Sequence, residues 1–291
     1  MNVYCTDWGG SKKKRELCIG SNNVIFCNTY TKQSYRLYRK MQFKAAKTKL
    51  EAIQPLRELF LQEANCQVRY NACHERGWTD SYLLTNGEVK IGYGSIKGQE
   101  IADRDTVFEF YLIPAFRKFS SPIFPELIAA SGAQYIECQS NDLFLTSMLY
   151  EFAQNINADV VLFDDHGTTV HTISEAIFRA RKADDSIFAH QIEPIGEYVL
   201  ELAGEITATG GFLLHYNKPF ADLYMEVKEN FRRKGFGSFI LQELKKACYL
   251  AGRVPAARCD IRNQASRAAL IKAGMKVCGF MLKGNIKNTN G

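Results

Sequence analysis

Three cations and two glycines crowd into Arg232-Arg233-Lys234-Gly235-Phe236-Gly237, between a strand-like run at 222–227 and an amphipathic segment that begins at Ser238. A helix start leaves four backbone N–H groups without intrahelical partners and carries partial positive charge. Glycines let that backbone approach a phosphate closely and take up positive φ. The pattern therefore predicts a polyphosphate site, with amide donors from 233–238 and mobile charge from Arg232, Arg233 and Lys234. Two familiar phosphate loops are excluded: no G-x-x-x-x-G-K-[ST] occurs, and Phe239 and Ile240 stand where a dinucleotide loop would finish G-x-G-x-x-G.

The elements that must position this loop follow from periodicity. Segment 222–227 alternates Asp222, Tyr224 and Glu226 on one face with Leu223, Met225 and Val227 on the other. After the loop, Phe239, Leu241, Leu244, Ala247 and Cys248 make a buried helical stripe over 238–251, closed by Gly252 and Pro255. A hairpin at 198–216 precedes the loop; a strand at 256–261, a helix at 265–273 and a strand at 277–282 follow it. Upstream, apolar spacings of three and four predict helices over 45–65, 143–153 and 173–183, with a further helix at 125–131. Asn86-Gly87 marks a hairpin turn, 106–113 a strand, 134–138 another, and 160–163 a short buried strand.

Bulk properties bound the function. At 291 residues the length favours two domains, and 46% hydrophobic with 23% charged residues is ordinary for a globular chain. A net charge of +6 from 37 basic and 31 acidic residues does not demand nucleic acid, and Lys12 to Arg15 reads as a solvated tail. Nine cysteines without any C-x-x-C pair exclude a disulfide framework or zinc ribbon and point to the reducing cytoplasm. No apolar run suits a signal peptide or membrane span. Asp164-Asp165-His166 and Cys66, Cys73 and His74 lack metal-ligand spacing, so no metal is expected.

The loop resembles motif A of the GNAT acetyltransferase superfamily: Arg or Gln, two residues, Gly, one residue, then Gly or Ala, after a strand ending in an aliphatic residue. Arg232, Gly235, Gly237 and Val227 hold those places. Asn263-Gln264-Ala265-Ser266 resembles the start of the family's last helix and Ala273-Gly274-Met275 its end, so the likeness spans roughly 197–284. It implies an α/β (α+β) fold: a mixed, mostly antiparallel twisted sheet flanked by helices. It also implies acetyl-CoA as cosubstrate, its pyrophosphate on the amides of Arg233, Lys234, Gly235, Phe236, Gly237 and Ser238, and its pantetheine arm along Met225 and Val227. Asn263 and Ser266 would contact the arm near the thiol, or equally cap the following helix.

Acyl transfer to an amine needs a base and an N–H donor for the tetrahedral oxygen, the latter from the strand near Val227. Glu226 and His215 rank first as base, then Asp222; because Leu270 stands where many family members carry a tyrosine, the acid is another group such as Tyr224 or Tyr216, or the thiolate is released to solvent. The expected activity is N-acetyl transfer to a primary amine of a small molecule or peptide, in a homodimer; the alternative is a catalytically silent acyl-CoA-binding sensor or scaffold.

An earlier stretch, Leu112-Ile113-Pro114-Ala115-Phe116-Arg117, aligns with Val227 to Arg232 without a gap. Ser120 and Pro122 then replace Gly235 and Gly237, and Asn141 precedes a helix much as Asn263 does. This predicts two related halves: an N-terminal extension at 1–40, not part of the translated protein if synthesis starts at Met41, or carrying a short hairpin at 24–26; a degenerate GNAT-like domain at 41–185; and the acyl-CoA-binding domain at 186–291.

Overall fold

The computed structural model describes residues 41–64, 70–214 and 217–287. The readings for 1–40, Cys66, His215 and Tyr216 lie outside the described residues. One sheet of twelve strands runs through the rest, in the order β1-β2-β3-β4-β5-β12-β6-β11-β10-β9-β8-β7. The first half supplies β1 (Phe43–Thr48), β2 (Thr79–Asn86), β3 (Val89–Lys97), β4 (Thr106–Leu112), β5 (Tyr135–Gln139) and β6 (Ala153–Asp165). The second supplies β7 (Ala176–Ala180), β8 (Tyr198–Leu202), β9 (Glu205–Leu213), β10 (Phe220–Val227), β11 (Val254–Asp260) and β12 (Met275–Ile286). Pairing is antiparallel except between β4 and β5 and between β10 and β11.

The order is a palindrome with an exchange at its centre. Each half lays down five strands side by side, but β12 pairs with β5 and β6 pairs with β11. The two final strands also pair with each other, from Met275 opposite Asp165 to Ile286 opposite Ala153.

Helices cover both faces of the first half. α1 (Leu50–Glu63) and α2 (Tyr70–Glu75) enclose a core of Ile53, Phe60, Tyr70, Tyr93, Phe108 and Tyr111. α3 (Ser120–Ser131) and α4 (Leu143–Phe152) bury Ile123, Phe124, Leu127, Leu145 and Leu149 against the other face. A bulge at Phe108, where Ser95 faces Glu109 but Ile96 faces Val107, turns Phe108 and Glu109 toward α1 and α2. In the second half, α5 (Phe236–Leu250) and α6 (Gln264–Lys272) pack Phe236, Ile240, Leu241, Leu244 and Leu270 on the sheet. Among the described residues no helix is long and apolar enough to cross a membrane.

Two expected helices are partly or wholly strands. In 45–65 the first residues belong to β1, where Ala45 is buried between exposed Lys44 and Ala46 and the strand pairs with β2; the helix starts only at Leu50. In 173–183 the run Ile177-Phe178 pairs with β8, and Phe178 stacks on Tyr198 at 5.1 Å. In both places an available sheet edge overrides helical spacing.

Asp142 illustrates how a cap is bought with a buried charge. Its Oδ1 accepts the Leu145 N–H at 3.1 Å, starting α4, while Oδ2 is buried without a partner. Burial raises its pKa to about 6, with the Glu109 charge adding to the shift. Between the ordinary aspartate value of about 4 and about 6, the native state holds a proton that the unfolded chain has lost, so stability falls as pH rises through that window and is flat above it. Asp142→Asn keeps the cap and removes the ionisation. It is expected to stabilise the protein by about 1–2 kcal/mol at pH 7.5 and not at pH 4, as read by urea unfolding at both pH values.

Candidate functional site

β10 and β11 pair in parallel only from Phe220 opposite Val254 to Leu223 opposite Ala257, and then part. Lys228 N–H donates to Thr207 O across β9, and the antiparallel alternation turns the N–H and C=O of Glu226 and Tyr224 the same way. Those of Met225 and Val227 therefore point into the gap left by β11. Among the described residues no strand pairs with this edge, which leads toward the cationic loop, and the Val227 carbonyl is held by Arg232.

At the loop the chain makes a short turn of 3-10 helix, Glu229–Phe231, and then two left-handed residues, Arg233 at φ 61° and Gly235 at φ 93°. Gly235 is the N-cap of α5, and Phe239 N–H donates to its carbonyl at 3.0 Å. The N–H groups of Phe236, Gly237 and Ser238 precede the first intrahelical bond and remain available as donors. Ser238 Oγ donates to Gly235 O at 2.9 Å, so its side chain ties the turn while its amide faces forward. A methyl group on Gly237 would meet Met225 Cε at 3.2 Å, so this glycine lets the helix start close on β10. Arg232, Arg233 and Lys234 are exposed, with Lys234 Nζ over the Phe231 ring at 5.6 Å.

The first half repeats this frame without its opening. Arg232 Nε donates to Val227 O at 3.0 Å, and Arg117 Nε donates to Leu112 O at 3.0 Å. Asn263 Oδ1 accepts Ser266 N–H at 3.0 Å to cap α6, as Asp142 caps α4; the counterpart of Asn263 is thus Asp142, one residue beyond Asn141. Counting from these caps, Phe144, Leu145 and Met148 stand where the second half has Ala265, Ser266 and Ala269. Phe144 stacks on Phe110, the counterpart of Met225, at 5.4 Å and 2°. Aromatic carbon fills the first half at the place where small residues line the gap in the second.

The polar face of β10 is occupied in three ways. Asp222 Oδ2 accepts from Arg258 Nε at 3.1 Å. Tyr224 lies beneath Gly211, whose missing methyl would fall 2.7 Å from the phenol oxygen, and burial together with Glu197 raises the Tyr224 pKa. Glu226 is buried and accepts N–H bonds from Gln191 and Ile192, each at 3.0 Å, with Arg232 Nη2 3.8 Å away. His190 completes the cluster and was not singled out from sequence, since segment 181–197 has no periodicity to place it. Its Nε2 lies 2.6 Å from Thr209 Oγ1, and Thr209 is directly opposite Glu226 on β9. Leu270 is buried in the core beneath α6. Asp165 is paired with Lys245 and Tyr249, and no cluster of three metal-ligating side chains occurs among the described residues.

Two family models match the sequence: an acetyltransferase (GNAT) domain over residues 49–166 and the acetyltransferase (GNAT) family over residues 168–275. Among solved structures, a GNAT-family acetyltransferase from Colwellia psychrerythraea is similar at 14% identity and TM-score 0.67, covering 84% of this chain and 100% of that one. A GCN5-related N-acetyltransferase from Sphaerobacter thermophilus follows at 12% identity and TM-score 0.51, over 84% of this chain and 96% of its own. A tandem GNAT protein from the clavulanic acid biosynthesis pathway shares 9% identity and a TM-score of 0.52, over 86% of this chain and 100% of its own. No protein of curated function matches. The chain belongs to the GNAT acetyltransferase superfamily and carries two GNAT domains in tandem.

Proposed function

We propose that the protein is an acetyl-CoA-dependent N-acetyltransferase whose second half binds the cosubstrate and whose first half is a scaffold. The observation that carries the reading is the edge at Met225 and Val227, past which β11 has parted from β10, running into the left-handed turn at Arg233 and Gly235. The pyrophosphate would lie on the amides of 233–238 beside Arg232 and Lys234, and the arm would add as a strand along Met225 and Val227, reaching Asn263 and Ser266. The acceptor nitrogen would attack the thioester carbon, forming C–N as C–S breaks, with the oxygen held by a strand N–H. Burial keeps Tyr224 protonated at neutral pH, and it stays a candidate to protonate the departing sulfur. Glu226, His215 and Asp222 stay candidates to take the amine proton, and His190 joins them.

Gly237→Pro deletes one donor at the second helical position, where proline is compatible with helix geometry. It is expected to weaken coenzyme A about 10- to 100-fold, the value of one charge-assisted hydrogen bond, with unchanged circular dichroism. Calorimetry with coenzyme A reads the affinity, and unaltered affinity removes this site assignment. Tight acetyl-CoA binding by the unmodified protein without thiol release for any amine would instead mark a silent binding module, the reading that buried Leu270 favours.

A further inference from the structure

We infer that the first half carries a second ligand site, at the start of α1, for a small polar molecule bearing a phosphate or a carboxylate. A cavity of about 280 Å³ opens there between the start of α1, the end of α2 and the start of β2. Lys49 holds the N-cap position of α1 without a side-chain cap, and Ala52 N–H turns back to Lys49 O at 3.1 Å. Leu50 and Glu51 both line the cavity, and their amides keep the partial positive charge of an uncapped helix start.

A row of polar side chains beneath that start is the second, independent observation. Thr48, Ser81, Ser95 and Glu109 stand directly opposite one another on β1, β2, β3 and β4, so all four share the face on which Arg57 of α1 meets Glu109. Ser95 Oγ is buried without a partner. Ser81, next in the row and only 4% exposed, lines the cavity and makes no side-chain hydrogen bond to any described residue. The groups around it are committed. Thr79 Oγ1 lies 3.0 Å from His74 Nδ1, while His74 Nε2 donates to Glu109. Asp80 accepts from Lys47 at 2.6 Å and from Arg104 at 2.5 Å, so its charge is already countered twice. Glu51 is exposed at the rim beside exposed Lys49.

Two helix-start amides and the Ser81 hydroxyl thus face the cavity as donors, a set that fits an oxyanion. At ~30 Å³ per water the volume corresponds to about nine waters, more than a bare phosphate fills. Leu50 is the one large apolar side chain among the described lining residues, so the body joined to the anion is polar. The site is separate from the cationic loop and does not depend on the acetyl-CoA reading.

The test titrates glycerol phosphate, glycerate and glycerol into the isotope-labelled intact protein and follows the amide resonances of Leu50 and Glu51. At least one of the two anions is expected to shift both signals saturably and to bind about 10-fold or more tightly than glycerol; which anion is the tighter distinguishes a phosphate from a carboxylate ligand. Ser81→Ala is expected to weaken that anion about 3- to 10-fold, and Glu51→Gln to strengthen it about 2- to 3-fold by removing a like charge from the rim. Shifts that do not saturate, glycerol binding as tightly as both anions, or an unchanged anion affinity in Ser81→Ala overturns the inference.

Discussion

Glu109→Ala is expected to lower stability by about 3–5 kcal/mol. The side chain is fully buried on β4, and its carboxylate receives Arg57 Nε at 3.2 Å, Arg57 Nη2 at 3.2 Å, the Tyr93 hydroxyl at 3.1 Å and His74 Nε2 at 3.0 Å. Truncation leaves the Arg57 guanidinium, itself only 4% exposed, without its counter-charge. Replacing both partners, as in Arg57→Met with Glu109→Leu, is expected to restore most of the loss, because a buried ion pair gains little over apolar packing once its desolvation is counted. Urea unfolding of the three proteins checks this: equal losses in the single and double variants would mean the packing, not the charge, is at stake. Burial pushes the Glu109 pKa up, but Arg57 and His74 outweigh it and hold it below the usual carboxylate range. The unfolded chain therefore binds the proton more readily, so this contribution is complete at neutral pH and is lost only as pH falls through the depressed value.

The position gives the network a functional meaning. Three residues before Leu112, Glu109 is the counterpart of Tyr224, three residues before Val227. One half uses that place to clamp α1 and α2 onto the sheet; the other sets the Tyr224 phenol over Gly211 of β9. Together with Phe144 on Phe110, this explains in packing terms why only the second half keeps a candidate acyl site.

What could be read from sequence was local. Gly235, Gly237 and the strand before them identify the loop because positive φ and close approach leave few alternatives to glycine. The repeat was legible in Phe116-Arg117 against Phe231-Arg232, and both arginines make the same bond to the strand end. Longer-range choices were not legible. The alternation in 275–286 tells which residues share a face but not which strand lies beside them, so the exchange of β6 and β12 had no signature. Glu109, flanked by Phe108 and Phe110, reads as an interruption in a strand until Arg57 and His74, far away in sequence, are known to meet it. His190 is placed by Thr209 and by the amides next to it on Glu226, contacts that a loop sequence does not advertise.

Ending the chain after Gly274 is expected to abolish cooperative folding of both halves, although every residue lost lies in the second. β12 contributes Leu282 and Ile286 to the core beneath α3 and α4, and Met275, Val277 and Phe280 to the core beneath α5 and α6. Its removal exposes both sets of side chains and frees the ladder edges of β5 and β6 together. An ordinary tandem arrangement, in which each half pairs with its own last strand, predicts the opposite: the first half would keep its transition intact. Trp78, which precedes β2 in the first half, makes the difference measurable once the other tryptophan is removed by Trp8→Phe, so that emission reports on that half. The intact protein should show one urea transition by Trp78 emission and by far-ultraviolet circular dichroism, with coincident midpoints. The shortened chain should show no sigmoidal transition by either probe. A Trp78 transition surviving at the original midpoint would mean that β6 closes the first half by itself, and that the exchange is not what holds the two halves together.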